Sequence, residues 1–396
     1  MSAISQIIDR ERVVVMQTYG RQPVAFVSGE GSWLMDADGK RYLDCLGGLA
    51  VVAVGHSNPR VAAAVSSQMS SLVHVSNLYF TEPMVRLAER LTNLAGLDRV
   101  FFSNDGATAN EAAIKLARRH GQTVRGPDCY RIVSLADSFH GRTLATLAAT
   151  GQPAKQAMFA PLPPGFQQVE ANDLGALEKV VDAGTAAVMI ETVQGEGGVN
   201  PLDPDYLKAV RGLCDETGAL LIIDDIQAGL GRTGQWFSWQ SLGLEPDIAT
   251  VAKALANGLP IGACLATERV ASAFRPGDHA TTFGGGPVVC AAALAVLDEI
   301  EDRNLLVNCR ERSEQLRAGL ELLPGVVEVR GRGLLVAVVL DFERAAAVVD
   351  TARDLGLIVN DVRPNAVRFA PPLTISVDEV EVAIERFRLA LQGAVS

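Results

Sequence analysis

The chain has 396 residues, of which 48% are hydrophobic and 20% charged, a composition typical of a globular protein that excludes general disorder. This length exceeds one typical domain and predicts a large structural unit together with a smaller one. The net charge of −11 argues against nucleic acid or an anionic membrane as a partner, so an anionic ligand needs local positive charge.

The cysteines and the apolar segments indicate the cellular compartment. Six cysteines occur without a C-x-x-C pair, and most lie in apolar segments, which favours buried reduced thiols in a cytoplasmic protein. Residues 1–12 are charged and lack the apolar core of a signal peptide. No run of about eighteen apolar residues occurs, so we expect no membrane-spanning segment. We also expect no metal site.

The first elements along the chain predict a small antiparallel meander followed by helices. Residues 24–45 alternate short apolar pieces with turn residues. Residues 59–72 and 83–94 have helical spacing with proline near each start. We assign residues 1–58 to the smaller domain, and residues 59–295 to a large domain in which helices flank a mostly parallel sheet.

A strand over residues 100–105 and a helix over residues 108–120 enclose the small residues Gly106 and Ala107. Free N–H groups and the positive end of the helix dipole favour a phosphate at such a turn. An ordinary tight turn between strand and helix fits the same residues. The preceding Asp105 either repels a phosphate or caps the helix, because aspartate is a good N-cap residue.

Polar residues follow the next two predicted strands. Residues 130–135 precede Phe139, His140 and Arg142, a set that suits ring stacking and carboxylate binding, although a lone histidine is more often structural. Residues 186–190 precede a glycine-rich loop that carries two carboxylates, residues 191–198. That loop fits a site or a solvated surface equally well.

Two further strands each deliver one ionisable residue to a carboxyl end, where open α/β sheets keep their ligand crevices. The apolar residues 219–223 lead to Asp224, and residues 247–252 lead to Lys253. A carboxylate and a lysine in one pocket suit pyridoxal phosphate chemistry, or form a structural ion pair. Residues 229–234 match G-x-G-x-x-G, but their distance from the strand and the lack of a following helix exclude a dinucleotide site.

The last part of the chain, residues 296–396, predicts an α+β domain that packs with the N-terminal meander. Its expected elements are helices near residues 308–315, 343–355 and 377–391, and a hairpin or bent strand over residues 326–340.

Seven features carry a resemblance to a known family: residues 76–79, 109–115, 139–143, 194–198 and 231–234, Lys253, and residues 368–372. In this order they resemble the class III (ω-amino) pyridoxal-phosphate-dependent aminotransferases, most closely the acetylornithine-specific members. The likeness runs nearly end to end. It implies a fold-type I enzyme, normally a homodimer with its active sites at the subunit interface.

The resemblance assigns two catalytic residues and a set that binds the cofactor, pyridoxal 5'-phosphate. Lys253 matches the Schiff-base lysine, and Asp224 matches the partner of the pyridinium nitrogen. The other cofactor contacts are matched by Gly106 and Ala107 at the phosphate, Thr282 at the phosphate of the other subunit, Gln227 at the 3-oxygen, Phe139 over the ring and Ile226 under it.

Three residues match substrate contacts of the family. Arg142 corresponds to the arginine that binds the α-carboxylate of an acylated ornithine. Arg368 corresponds to the arginine that binds the α-carboxylate of glutamate, and Glu196 corresponds to the switching counter-ion of that second arginine. The implied reaction moves the terminal amino group of N-acetylornithine to 2-oxoglutarate. Succinylornithine, N-acetyllysine, ornithine and 4-aminobutyrate stay open as donors, although Leu49 in place of a tyrosine counts against ornithine.

The chain departs from the family pattern at five positions. The family usually has Ser at Asp105, Glu at Thr108, Pro at Thr192, Glu at Asp225 and Asn at Gly286. Several of these lie near the expected cofactor, so a catalytically impaired scaffold is the alternative from a different functional class.

Overall fold

The computed structural model describes residues 2–395. The strands are Phe26–Glu30, Trp33–Asp36, Arg41–Asp44, Arg99–Ser103, Arg131–Leu135, Phe166–Val169, Thr185–Ile190, Val193–Gln194, Asn200–Pro201, Leu220–Asp224, Ile248–Val251, Gly262–Ala266, Val326–Arg332, Leu335–Leu340, Leu357–Ile358, Asn360–Arg363 and Ala366–Phe369. The α-helices are Ala3–Val14, Gly47–Ala50, Pro59–Ser71, Glu82–Ala95, Gly106–Val124, Leu144–Ala149, Pro153–Gln156, Leu174–Glu178, Pro204–Thr217, Glu268–Ala271, Pro287–Asp302, Leu305–Glu321, Ala345–Asp354 and Val377–Val395. Short 3₁₀ segments cover Ala157–Phe159, Gln240–Leu242 and Lys253–Ala256.

A seven-stranded sheet forms the centre of the large domain. In spatial order its strands are Arg99–Ser103, Gly262–Ala266, Ile248–Val251, Leu220–Asp224, Thr185–Ile190, Arg131–Leu135 and Phe166–Val169. Only Gly262–Ala266 runs antiparallel to its neighbours, which confirms the mostly parallel sheet. The register pairs Asp224 with Thr250, so these two strands end at the same edge.

Apolar residues on both faces of each central strand explain why helices cover both sides of the sheet. In the strand Leu220–Asp224, Ile222 belongs to one buried cluster with Ile114 of the helix Gly106–Val124. Its neighbours Leu221 and Ile223 belong to the cluster that contains Leu207. Because successive strand residues point to opposite faces, the two clusters lie on opposite sides of the sheet.

The smaller sheets join the two ends of the chain. The predicted meander is present, and its strand Arg41–Asp44 pairs in parallel with Leu357–Ile358. A second sheet contains the predicted hairpin, Val326–Arg332 with Leu335–Leu340, and carries Ala366–Phe369 beside it. The domain boundaries at residues 58 and 295 stay a prediction, since residue 295 lies inside the helix Pro287–Asp302.

The elements that were not predicted from the sequence include the helix Ala3–Val14, the strand Phe166–Val169 and the helix Pro204–Thr217. The last has a clear signal, because Asp203 accepts from the N–H groups of Asp205 and Tyr206 and proline stands in the first turn. All six cysteines are free and buried, as expected. None of the helices described is both long and apolar enough to cross a bilayer.

Candidate active site

A cavity of about 260 Å³ opens at the carboxyl edge of the large sheet. Nine of the eleven predicted site residues line it: Gly106, Ala107, Phe139, Arg142, Glu196, Asp224, Ile226, Gln227 and Lys253. They come from several strand ends, because parallel strands bring the loops that follow them to one edge. Arg368 reaches the same place from the smaller sheet by contacting Glu196.

Asp224 is a buried carboxylate with three hydrogen bonds. Its Oδ2 accepts from His140 Nδ1 at 2.8 Å and from Asn110 Nδ2 at 2.7 Å, and its Oδ1 accepts from the Ile226 N–H at 3.2 Å. Burial disfavours the charged imidazole, but the contact with Asp224 outweighs burial and raises the pKa of His140. The three hydrogen bonds fix the orientation of the Asp224 carboxylate.

Lys253 lies two residues after the end of the neighbouring strand, Ile248–Val251. It begins a short 3₁₀ segment with a φ of 32°, a left-handed conformation that is uncommon for non-glycine residues. Burial lowers the pKa of its amine, and nearby Arg368 lowers it further, whereas Glu196 acts in the opposite direction. A lysine with a lowered pKa has more of the neutral, nucleophilic form at neutral pH.

The helix Gly106–Val124 begins in a reciprocal capping box. Asp105 Oδ1 accepts from the Thr108 N–H at 2.8 Å, and Thr108 Oγ1 accepts from the Asp105 N–H at 3.1 Å. Two departures from the family pattern therefore satisfy each other, as Ser and Glu do in the usual form of this motif. Of the two readings of Asp105, the geometry is that of the helix cap. The N–H groups of Gly106 and Ala107 have no acceptor within residues 2–395.

Glycine is required at two places where the cavity wall is tight. A Cβ on Gly106 would lie 2.9 Å from Ile226 Cγ2. A Cβ on Gly195 would lie 1.6 Å from Gln227 Oε1. Any larger residue would displace Ile226 or Gln227 from the cavity.

Glu196 and Arg368 form a partly buried ion pair at one side of the cavity. Arg368 Nη1 lies 2.6 Å from Glu196 Oε1 and also donates to Gln227 Oε1 at 3.1 Å. Burial opposes ionisation of Glu196, but Arg368 and Lys253 hold its pKa at about 2. Arg368 is only 1% exposed, and its Nη2 has no partner within the described chain. The ion pair is therefore formed in this structure, and Arg368 Nη2 is left as a hydrogen-bond donor without a partner in the described chain.

Thr282 lies apart from these residues. It is exposed and belongs to a separate small crevice formed by residues 74–77 and 284–287. The expectation that it binds the phosphate in another subunit stays a prediction.

Several functional contacts were not predicted. Asn110 holds Asp224, and its own oxygen accepts from the Thr250 hydroxyl at 2.7 Å. Glu191 accepts from the Phe139 N–H at 3.0 Å, and burial raises the pKa of its carboxyl group. A polar residue inside an apolar helix stretch or at a strand end is a possible signal for such contacts, but it does not identify the partner.

Of the remaining departures, Asp225 and Thr192 lie just after strands of the large sheet, and Gly286 lies at the start of a helix. Asp225 Oδ2 accepts from the Ser238 N–H at 3.0 Å, its Oδ1 has no partner in the part of the chain described, and burial raises its pKa to about 7. The Thr192 and Ser238 hydroxyls are 2.6 Å apart. Gly286 stands at the N-cap of the helix Pro287–Asp302 and supplies no side-chain cap.

The sequence profile of the family described as aminotransferase class-III matches residues 15–391. The chain therefore belongs to the class III aminotransferases, enzymes that use pyridoxal phosphate and have the type I fold. The match covers the whole of the large sheet and the strand that carries Arg368.

Relatives in other organisms extend this likeness over almost the whole chain. The acetylornithine aminotransferase of Gloeobacter violaceus is 50% identical, with 93% of this chain and 94% of the relative covered. That of Methanocaldococcus jannaschii is 46% identical, with 95% and 96% covered. Among solved structures, the N-acetylornithine aminotransferase of Stenotrophomonas maltophilia K279a has a TM-score of 0.85 at 35% identity, with 98% and 99% covered. The ornithine aminotransferase of Toxoplasma gondii ME49 has a TM-score of 0.95 at 32% identity, with 99% and 96% covered.

Proposed function

We propose that the protein transfers the terminal amino group of N-acetylornithine to 2-oxoglutarate, giving N-acetylglutamate 5-semialdehyde and glutamate, a step of arginine biosynthesis. The observation that carries this proposal is that Arg142 and Arg368 both lie at the cavity that holds Lys253. Two arginines allow two substrates with different carboxylate positions to use one reactive centre. The names and the 46–50% identity of the two relatives above support this choice of donor.

Three features of the cavity suit pyridoxal phosphate as the cofactor. The unused N–H groups of Gly106 and Ala107 at a helix start suit its phosphate. The fixed carboxylate of Asp224 suits a protonated ring nitrogen. Phe139, Ile226 and Gln227 line the same space and suit the two ring faces and the 3-oxygen.

The bound cofactor would supply a ring that accepts the electrons left when the substrate carbon loses its proton. Asp224 would hold the proton on the ring nitrogen, because an adjacent carboxylate raises that pKa. Lys253 Nζ would attach the resting cofactor and then take up and return the proton at the substrate carbon, for which its lowered pKa is suited.

The ion pair between Glu196 and Arg368 would act as the gate between the two substrates. With the pair closed at 2.6 Å, the arginine is neutralised and the pocket accepts the uncharged or amine-bearing part of the donor. Glutamate needs the arginine free, so its carboxylate would displace Glu196. Leaving the buried guanidinium of Arg368 without a partner would be costly, which makes the exchange selective.

The active form would be a homodimer with shared active sites. Thr282 is exposed beside Phe283, which is 69% exposed, and the nearby Leu78 and Phe80 are 84% and 101% exposed. Apolar side chains in such a patch suit an interface with a second copy. In this assembly Thr282 would serve the phosphate of the neighbouring subunit. Six free buried thiols favour a reducing compartment, so we place the enzyme in the cytoplasm.

A half-reaction panel tests the proposed donor. The purified holoenzyme is mixed with N-acetylornithine, N-succinylornithine, N-acetyllysine, ornithine or 4-aminobutyrate, and loss of the cofactor's visible absorbance is followed. The highest rate constant per unit concentration is expected for N-acetylornithine. A higher value with any other donor, or no reaction with all five, contradicts the proposal.

A further inference from the structure

Two cations converge on the ring of Phe139 at the rim of the cavity. The guanidinium carbon of Arg142 lies 5.6 Å from the ring centroid, and Lys155 Nζ lies 5.1 Å from it. Neither side chain has a carboxylate partner or a hydrogen-bond acceptor within residues 2–395. Arg142 lines the cavity and Lys155 stands beside the same ring in the short helix Pro153–Gln156.

The positive charges of Arg142 and Lys155 oppose each other. Burial lowers the pKa of Lys155, and the positive charge of Arg142 lowers it further, while Glu196 offsets part of the effect. A third cation nearby, Arg363, is already paired with Asp137 at 2.7 Å. In a chain with a net charge of −11, the missing anion at this rim is best supplied by a ligand.

Arg142 and Lys155 lie where the end of the amino donor remote from the transferred amine would bind. Under the proposed function, the transferred amine meets Lys253 inside the cavity, and the carboxylate of the donor meets Arg142 at the rim. Lysine has a flexible four-carbon stem and a compact charge. Its ammonium can therefore leave the face of an aromatic ring for a carboxylate bound next to it.

We propose that Lys155 is the second cation of a carboxylate subsite whose first member is Arg142, and that it sets specificity by the negative charge a donor carries remote from its transferred amine. This inference rests on the proposed function, because it takes Arg142 as the carboxylate contact. A donor whose remote end is neutral gains nothing from Lys155. Each negative charge near the rim relieves the repulsion between the two cations.

A charge series of amine-free ligands tests the subsite by binding alone. N-acetyl-norvalinamide, N-acetylnorvaline and N-succinylnorvaline carry zero, one and two carboxylates, and they lack the amine that reacts. Their dissociation constants are measured by calorimetry on the holoenzyme and on Lys155→Met. We expect binding to weaken about three- to tenfold for the single carboxylate, more for two, and less than about twofold for the amide.

Two further variants separate charge from structure. Lys155→Arg keeps the positive charge and should retain most of the affinity. Lys208→Met removes one exposed lysine from the helix Pro204–Thr217 and should leave all three constants unchanged. Equal weakening for the amide and the carboxylates in Lys155→Met overturns the inference, as does an unchanged affinity for all three ligands or wild-type enzyme that binds none of them.

The two experiments distinguish failure of the subsite from failure of the donor assignment. If the charge series holds while N-acetylornithine is not turned over, the proposed donor is wrong and the subsite stands. If N-acetylornithine is turned over but Lys155→Met does not weaken binding of the carboxylate ligands more than binding of the amide, the subsite is wrong and the proposed donor stands.

Discussion

The amide of Asn110 is fixed between Asp224 and Thr250. Its nitrogen donates to Asp224 Oδ2 at 2.7 Å, and its oxygen accepts from Thr250 Oγ1 at 2.7 Å. Because a carboxylate cannot donate and this hydroxyl donates, only one orientation of the amide satisfies both contacts. Thr250 therefore orients Asp224 through Asn110, from the strand next to the one that carries Asp224.

Thr250→Val should lower stability, since it removes a buried hydroxyl without changing the shape of the side chain. The oxygen of Asn110 then loses its donor, at a cost of about 1–3 kcal/mol in the free energy of unfolding. Thr250→Ser, which keeps the hydroxyl, should lose less. Urea unfolding of the three proteins measures the difference. Equal stability of Thr250→Val and wild type would remove Thr250 from the network.

Lys253→Ala should abolish covalent retention of the cofactor. Lys253 is the lysine among the residues that line the cavity, so borohydride reduction should add the mass of the cofactor to wild type and not to the variant. The turnover number should fall by about 10²–10⁴-fold or more, the range typical of a lost acid–base group. Lys115→Ala, on the helix Gly106–Val124, is the control. A reducible adduct in Lys253→Ala would assign the link to another amine.

Glu196→Ala should favour glutamate over N-acetylornithine in the two half-reactions. The variant leaves Arg368 free, which suits the carboxylate of glutamate and opposes the uncharged part of the donor. Stopped-flow rates with each amino donor measure the ratio. If both rates fall by the same factor, the ion pair is not a gate. Glu328→Ala, an exposed carboxylate that pairs with Arg330 at 3.2 Å, should leave the ratio unchanged.

Asp105→Ala should lower stability by about 0.5–2 kcal/mol, because the first turn of the helix loses its cap. Asp105→Ser should stay close to wild type, since serine also caps. Because the Asp105 carboxylate is directed to the Thr108 N–H, we expect it to repel the cofactor phosphate little. Titration of apoenzyme with pyridoxal phosphate should therefore give similar affinities for wild type and Asp105→Ser. Markedly tighter binding in Asp105→Ser would instead support repulsion.

Asp225→Asn should become increasingly more stable than wild type as the pH rises from about 4 to about 7. Burial raises the pKa of Asp225 to about 7, whereas an unfolded aspartate has a pKa near 3.9. Between these values the folded state keeps a proton that the unfolded state has released, so wild-type stability falls with rising pH, by up to about 4 kcal/mol from this group. Asparagine has no such dependence.

Thermal midpoints of wild type and Asp225→Asn, measured from about pH 4 to about pH 7, test whether wild-type stability falls as the pH rises. The difference in favour of Asp225→Asn should widen up to about pH 7 and then stay constant, once both states are ionised. A difference that narrows with rising pH would show that the carboxylate is ionised and stabilising in the folded protein.

The sequence alone determined which residues stand at the strand ends. Apolar runs such as residues 219–223 favour buried strands, and parallel strands place the residues that follow them at one edge of the sheet. For this reason Asp224 and Lys253 could be assigned to one cavity without coordinates, whereas the turn at Gly106 was assigned to it through the family resemblance. The same periodicity predicted the meander and the hairpin of the smaller sheets.

Only the tertiary structure decided how these residues are paired. Asn110 and Thr250 hold Asp224 from a helix and a neighbouring strand, and no local pattern identifies such partners. Arg368 meets Glu196 across 172 positions of sequence. The Asp105 side chain is directed toward the helix N–H groups, and this orientation depends on Thr108, whose hydroxyl oxygen accepts from the Asp105 N–H. Hydrophobic periodicity specifies which face is buried, whereas a hydrogen bond requires distances and angles that exist only once the elements are packed.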